Sequence, residues 1–129
     1  MGDGAFLWWE GLTSIVIPDS LQVIPKEAFN SCPRLLSITW GNAVEEIGHA
    51  SFWAMSAATL DLPPTLKRLD DLAFAACANN LRSVTVNSQL EMMGEAVFRH
   101  ANLNYIRQHH YPLRQSQHMA GRQLLGTVR

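Results

Sequence analysis

Four histidines near the end of the chain, His100, His109, His110 and His118, and two cysteines, Cys32 and Cys77, are the side chains best suited to metal or redox chemistry. Imidazole and thiolate ligate zinc or copper when they are grouped, as in an HExxH helix or paired CxxC knuckles, usually with a carboxylate close by. Neither motif occurs, and no Asp or Glu follows Glu95, so neither a metal nor any other cofactor is expected. Nucleophilic catalysis is equally short of parts. Ser14, Ser37 and Ser83 offer hydroxyls, but none sits in a strained elbow or beside a His-acid pair. Phosphate-cradling and dinucleotide-binding glycine patterns are missing too. The expectation is a chain that is not an enzyme and has no small-molecule substrate.

Those residues belong to a chain of 129 residues, 47% hydrophobic and 16% charged, which fits one globular unit with a real core. Pro, Asp, Glu or Arg interrupts every apolar run before it reaches the roughly eighteen residues of a membrane-spanning helix. The N-terminus carries no secretory-signal pattern, and Phe6 stands where N-myristoylation after Gly2 requires Ser or Thr. Charge is uneven: residues 1–106 hold six Lys or Arg against eleven Asp or Glu, while 107–129 hold four Arg and no acid. Arg107, Arg114, Arg122 and Arg129 therefore mark a basic tail or C-terminal cap, separate in kind from the body. Such a tail can touch nucleic acid in a salt-dependent way, a third-ranked alternative that the composition disfavours.

The body is periodic. Leu12, Ile15, Ile17, Leu21, Ile24, Ala28, Phe29 and Cys32 are answered twenty-three positions later by Leu35, Ile38, Trp40, Val44, Ile47, Ser51, Phe52 and Met55. A third copy runs through Leu60, Leu62, Leu66, Leu69, Ala73, Phe74 and Cys77, and a fourth through Val84, Val86, Leu90, Met93, Val97 and Phe98. Phenylalanine recurs at 6, 29, 52, 74 and 98. The expected division is a partial repeat over 1–11, repeats over 12–34, 35–56, 57–80 and 81–102, and a degenerate start at 103–106.

Each copy predicts three local pieces. A β-rich run such as Ile15 to Ile17 reads as a short strand closed by Pro18 or Pro63, and a second extended piece spans Leu21 to Ile24. One turn of helix follows, in which a three-residue spacing sets Phe29 and Cys32 on one face. No single copy buries enough apolar surface to offset the chain entropy lost on ordering it, so neighbours must stack into a solenoid, here of the α/β class.

Stacking assigns the remaining candidates. Cys32 and Cys77 hold one template position two repeats apart, about 10 Å at strand spacing, too far for a disulfide. Trp9 and Trp40 fall on core positions, whereas Trp8 and Trp53 map outward beside Leu7 as a possible surface patch. Outward strand positions form three columns: Ser14, Ser37, Thr59, Ser83 and Tyr105; Val16, Thr39, Asp61, Thr85 and Arg107; and Thr13, Leu36, Ala58, Arg82 and Asn104. Solenoids bind partners on such faces. The expected partner-binding set is Ser14, Val16, Ser37, Thr39, Thr59, Asp61, Arg82, Ser83, Thr85 and Tyr105, with another protein as partner and a glycan as the lesser possibility.

The pattern L-x-x-I-x-I-P-x-S-L-x-x-I-x-x-x-A-F-x-x-C, met at nearly every position from Leu12 to Cys32, resembles the BspA-type leucine-rich repeat. Departures at Gly41 to Ala43 and Asn87 to Gln89 fall in the turn after the strand. The resemblance implies a leucine-rich-repeat solenoid, a cell-surface or secreted location, and a role in adhesion or protein recognition; a purely structural spacer is the rival. Because Met1 to Phe6 align with the second half of a repeat, a fragment of a longer array is expected.

Overall fold

The computed structural model describes residues 1–77, 81–86, 90–99 and 105–108, the last of these as backbone. Two families of short strands alternate along the chain. The first comprises β1 (Ser14–Val16), β3 (Ser37–Thr39), β5 (Thr59–Asp61), β7 (Ser83–Val86) and β9 (Tyr105–Gln108). The second comprises β2 (Val23–Ile24), β4 (Glu46–Ile47), β6 (Arg68–Leu69) and β8 (Met92–Met93). All ladders are parallel and each joins a strand to its counterpart one repeat along, as Ser14 to Ser37 or Ile24 to Ile47. Parallel neighbours need a long crossover, and here the rest of each repeat provides it. The result is a β-solenoid.

Alternation decides which side chains go in. In β5 the middle residue Leu60 is buried while Thr59 and Asp61 face out, and in the two-residue strands the second residue, Ile24, Ile47, Leu69 or Met93, is the buried one. Repetition then turns each template position into a column through one continuous core that also holds Leu35, Val44, Leu66, Leu81 and Leu90. The phenylalanine column is the most regular. Phe6, Phe29, Phe52, Phe74 and Phe98 stack with ring centroids 5.1, 5.3, 5.2 and 5.8 Å apart and planes within 12° of parallel.

The expected helical turn at this corner does not form, and no helix occurs among the described residues. The hydrogen bonds explain why. An α-helix directs each N–H to its own carbonyl four residues back, which would leave nothing for the next repeat. Here alternate residues divide the work: Glu27, Phe29 and Ser31 donate to His49, Ser51 and Trp53 of the following repeat at 2.8 to 2.9 Å, while Ala28 and Asn30 close tight turns onto Pro25 and Glu27. The same scheme recurs at Phe6, Phe52 and Phe74, whose N–H groups reach Ala28, Ala73 and Val97. The fold is therefore a β-solenoid of leucine-rich-repeat type and not a mixed α/β one.

This geometry requires left-handed backbone at two registered columns. Gly4, Glu27, Ala50, Leu72 and Ala96 form one, with φ from 51° to 63°, and Trp8, Ser31, Ala54 and Ala76 form the other, with φ from 59° to 64°. Only one of the nine is glycine, so the turns carry a steric cost that the inter-repeat bonds offset. Ala54→Gly is expected to raise stability by up to about 1 kcal/mol, and Ala54→Val to lower it by at least as much, as read from urea unfolding midpoints. Ser51 is a second local defect. It occupies the column of Ala28 and Ala73, fully buried, and its hydroxyl has no hydrogen-bond partner. Ser51→Ala should stabilise the protein by about 1 kcal/mol in the same measurement.

Candidate functional site

The outward face of β1, β3, β5, β7 and β9 is where the sequence places its partner-binding residues. Ser14, Val16, Ser37, Thr39, Thr59 and Asp61 are all exposed there, as is Arg82 just before β7. Ser83 and Thr85 are half-buried. Strand pairing aligns Ser14 with Ser37 and Val16 with Thr39; further on, Thr59, Ser83 and Tyr105 share one row, and Asp61, Thr85 and Arg107 another. In the third column Leu36 N–H donates to Thr13 and Arg82 N–H to Ala58.

The face is more apolar at one end than a hydroxyl column alone would make it. Val16 is 75% exposed at the end of β1, and Leu36, 58% exposed, immediately precedes β3, level with Thr13. Small hydroxyls on a strand lose little rotamer entropy when covered, so Ser14, Ser37, Thr39 and Thr59 make a low-cost surround for those two apolar side chains. Arg82 and Asp61 add one charge of each sign.

The five strands do not form one sheet. β1 pairs with β3, and β5, β7 and β9 form a separate ladder. Between β3 and β5 lies a cleft of about 250 Å³ with Ser37, Ile38, Trp40, Thr59 and Asp61 among its lining. Sequence reasoning missed this split. Its signal was the bulk of Trp40 in a column otherwise held by Ile17, Leu62 and Val86.

The tryptophans divide otherwise than expected. Trp9 leaves the core: it is 49% exposed and stacks on Phe6 at 5.5 Å, because an indole in the slot of Cys32 is too large to sit inside the rung. Trp40 is half-buried against the core, edge-on to Phe52 at 5.7 Å. Trp8 is the most exposed, at 68%, beside exposed Leu7, whereas Trp53 is half-buried.

Both cysteines are free and buried, and Met55 fills the rung between them. Their thiols donate to the Phe6 carbonyl at 3.2 Å and to the Phe52 carbonyl at 3.7 Å. Burial pushes both thiols up, Cys77 to about 12 against an ordinary 9.0, so neither is a thiolate nucleophile at neutral pH. Among the described residues no cluster of His, Cys, Asp or Glu is arranged to hold a metal ion. His100, His109, His110, His118, Asn104 and the basic stretch after Gln108 lie outside the described residues.

The raised Cys77 pKa links stability to alkaline pH. The unfolded thiol ionises near 9 while the folded one keeps its proton, so stability is full below about pH 9 and falls as pH rises toward 12. Cys77→Ala should flatten that part of the stability profile, measured by denaturant titration at successive pH values.

A family model for the BspA type leucine rich repeat region matches six copies over residues 1–112. Among solved structures, a leucine rich cell surface protein from Faecalibacterium prausnitzii A2-165 superposes with a TM-score of 0.60 at 16% identity. The match covers 82% of this chain and 44% of that one, so the chain spans less than half the length of this structural relative, and the likeness is one of fold. None of the curated proteins is similar enough to count as a match.

Proposed function

The chain belongs to the BspA-type leucine-rich repeat family, and from that premise we propose that it is a non-enzymatic interaction module that binds another protein through the outward face of β1, β3, β5, β7 and β9. The observation that carries this reading is the exposure of two large apolar side chains, Val16 at the end of β1 and Leu36 just before β3, among the hydroxyls of those strands. Large apolar side chains held in water at a fixed position favour a partner that removes them from it. The parallel β1–β3 ladder holds the backbone beneath Val16 and beside Leu36, so less ordering entropy is lost on binding.

The structural relative is a cell surface protein, which supports a surface or secreted setting for this chain, with adhesion or recognition as the role. Among the described residues no helix is long and apolar enough to cross a membrane. The residues assigned to contact are Ser14, Val16, Ser37, Thr39, Thr59, Asp61, Arg82, Ser83, Thr85 and Tyr105, to which the exposure of Leu36 adds one more.

Immobilised chain, presented with extracellular-matrix proteins at moderate salt, should retain a partner with saturable affinity. Val16→Arg and Leu36→Asp should each weaken that affinity by about tenfold or more, in the range of an interface anchor. Equal binding by both variants and the parent, in surface plasmon resonance, would reject the face and leave a structural spacer as the better description.

A further inference from the structure

Trp40 sits where the solenoid wall comes apart. In two of the three paired interfaces of the first wall, the N–H just past the strand closes the ladder: Ile17 donates to Thr39 at 2.8 Å and Leu62 to Thr85 at 3.0 Å. The corresponding acceptor between repeats two and three is the Asp61 carbonyl. It instead receives the indole Nε1–H of Trp40, at 2.7 Å. A side chain has taken the place of a backbone donor and holds the strands apart by its own length.

The opening is local. At one end of the gap Ser56 N–H still reaches the Leu35 carbonyl at 2.9 Å, and on the second wall β4 and β6 pair in full register. Phe52 and Phe74 stay stacked at 5.2 Å. Between β3 and β5, however, most Cα pairs lie more than 8 Å apart. Paired strands are about 4.8 Å apart, and two strands with a third between them about 9.6 Å. The two strands thus stand further apart than a hydrogen-bonded pair.

The chemistry of the gap fits an extended segment. The facing edges of β3 and β5, three residues each, belong to no common ladder, so apart from the Asp61 carbonyl, which the Trp40 indole already occupies, both present main-chain donors and acceptors of the kind that extended peptides recognise. Inward from the lips the lining is apolar, with Ile38, Leu60 and Met55, while Ser37 and Thr59 stand at the rim. The Asp61 carboxylate is exposed and has no ion-pair partner among the described residues. We propose that the opening between β3 and β5 accepts an extended peptide segment of about three residues as an intercalated strand, paired to both lips, with a basic side chain against Asp61. The proposal rests on the protein-binding reading of this face and narrows it to one segment of the partner. Val16 and Leu36 grip the partner's surface, and the slot takes its strand.

The test is an NMR titration of the full, isotope-labelled chain with the capped peptide acetyl-Thr-Val-Thr-Lys-amide. Saturable shifts are expected at the amides of Ile38, Thr39, Thr59 and Leu60. N-methylation of the peptide at Val should weaken binding about tenfold, the value of one or two backbone hydrogen bonds, and Lys replaced by Glu should weaken it about threefold to fivefold. Trp40→Ile, which restores the residue type of Ile17, should close the ladder and abolish the shifts. If that variant does not fold, Asp61→Asn must remove the preference for Lys over Glu while leaving the effect of N-methylation intact. Shifts confined to the outer edge of β1, indifference to N-methylation, or no response up to about 5 mM peptide would overturn the slot. Partner binding that depends on Val16 and Leu36 but survives Trp40→Ile would overturn it while leaving the face in place.

Discussion

Everything in this molecule depends on the backbone of one repeat being completed by the next. Each corner sends alternate N–H groups to the following repeat and keeps the others for its own turns. A single coil is therefore left with unmet donors, and an unmet buried donor costs more than a made bond returns. Stacking satisfies them and at the same time brings the phenylalanines face to face, so apolar burial and hydrogen bonding reach their optimum at one spacing. Neither alone would fix the register; together they do, although the repeat length drifts from twenty-two to twenty-four residues.

That coupling explains why the core admits so few exceptions and why the exceptions are informative. Ser51 brings a hydroxyl into a column of small apolar residues and finds no partner. Trp9 cannot fit the slot of Cys32 and folds over Phe6 instead. Trp40 does enter its column, but only by diverting a carbonyl from the ladder. Here a local misfit has a consequence beyond stability, since it opens the wall on the side of the proposed binding residues, while the phenylalanine stack holds the repeats together behind it.

The proposed binding face follows from the same constraint. Parallel strands one repeat apart put equivalent residues side by side, so a template position that tolerates Ser or Thr becomes a row of hydroxyls. The two thiols are buried, held protonated at neutral pH by that burial, and hydrogen-bonded to carbonyls. The proposed binding role rests on a presented surface, on which Val16, Leu36, Asp61 and Arg82 are the exposed positions that depart from the small polar norm.

The amino-acid sequence alone determined the period, the family, the inward columns apart from Trp9 and the register of the paired outward strands, because repetition makes every apolar position visible several times over. It also determined that Cys32 and Cys77 stay unpaired, since both hold one template slot with Met55 between them. It could not distinguish a helical turn from a tight turn at Ala28 and Phe29: both place Phe29 and Cys32 inside, and the choice rests on whether the N–H groups bond within the repeat or across to the next. Only the assembled structure decides that, and only the assembled structure shows Trp40 parting β3 from β5, because a wedge exists by virtue of what stands on its other side.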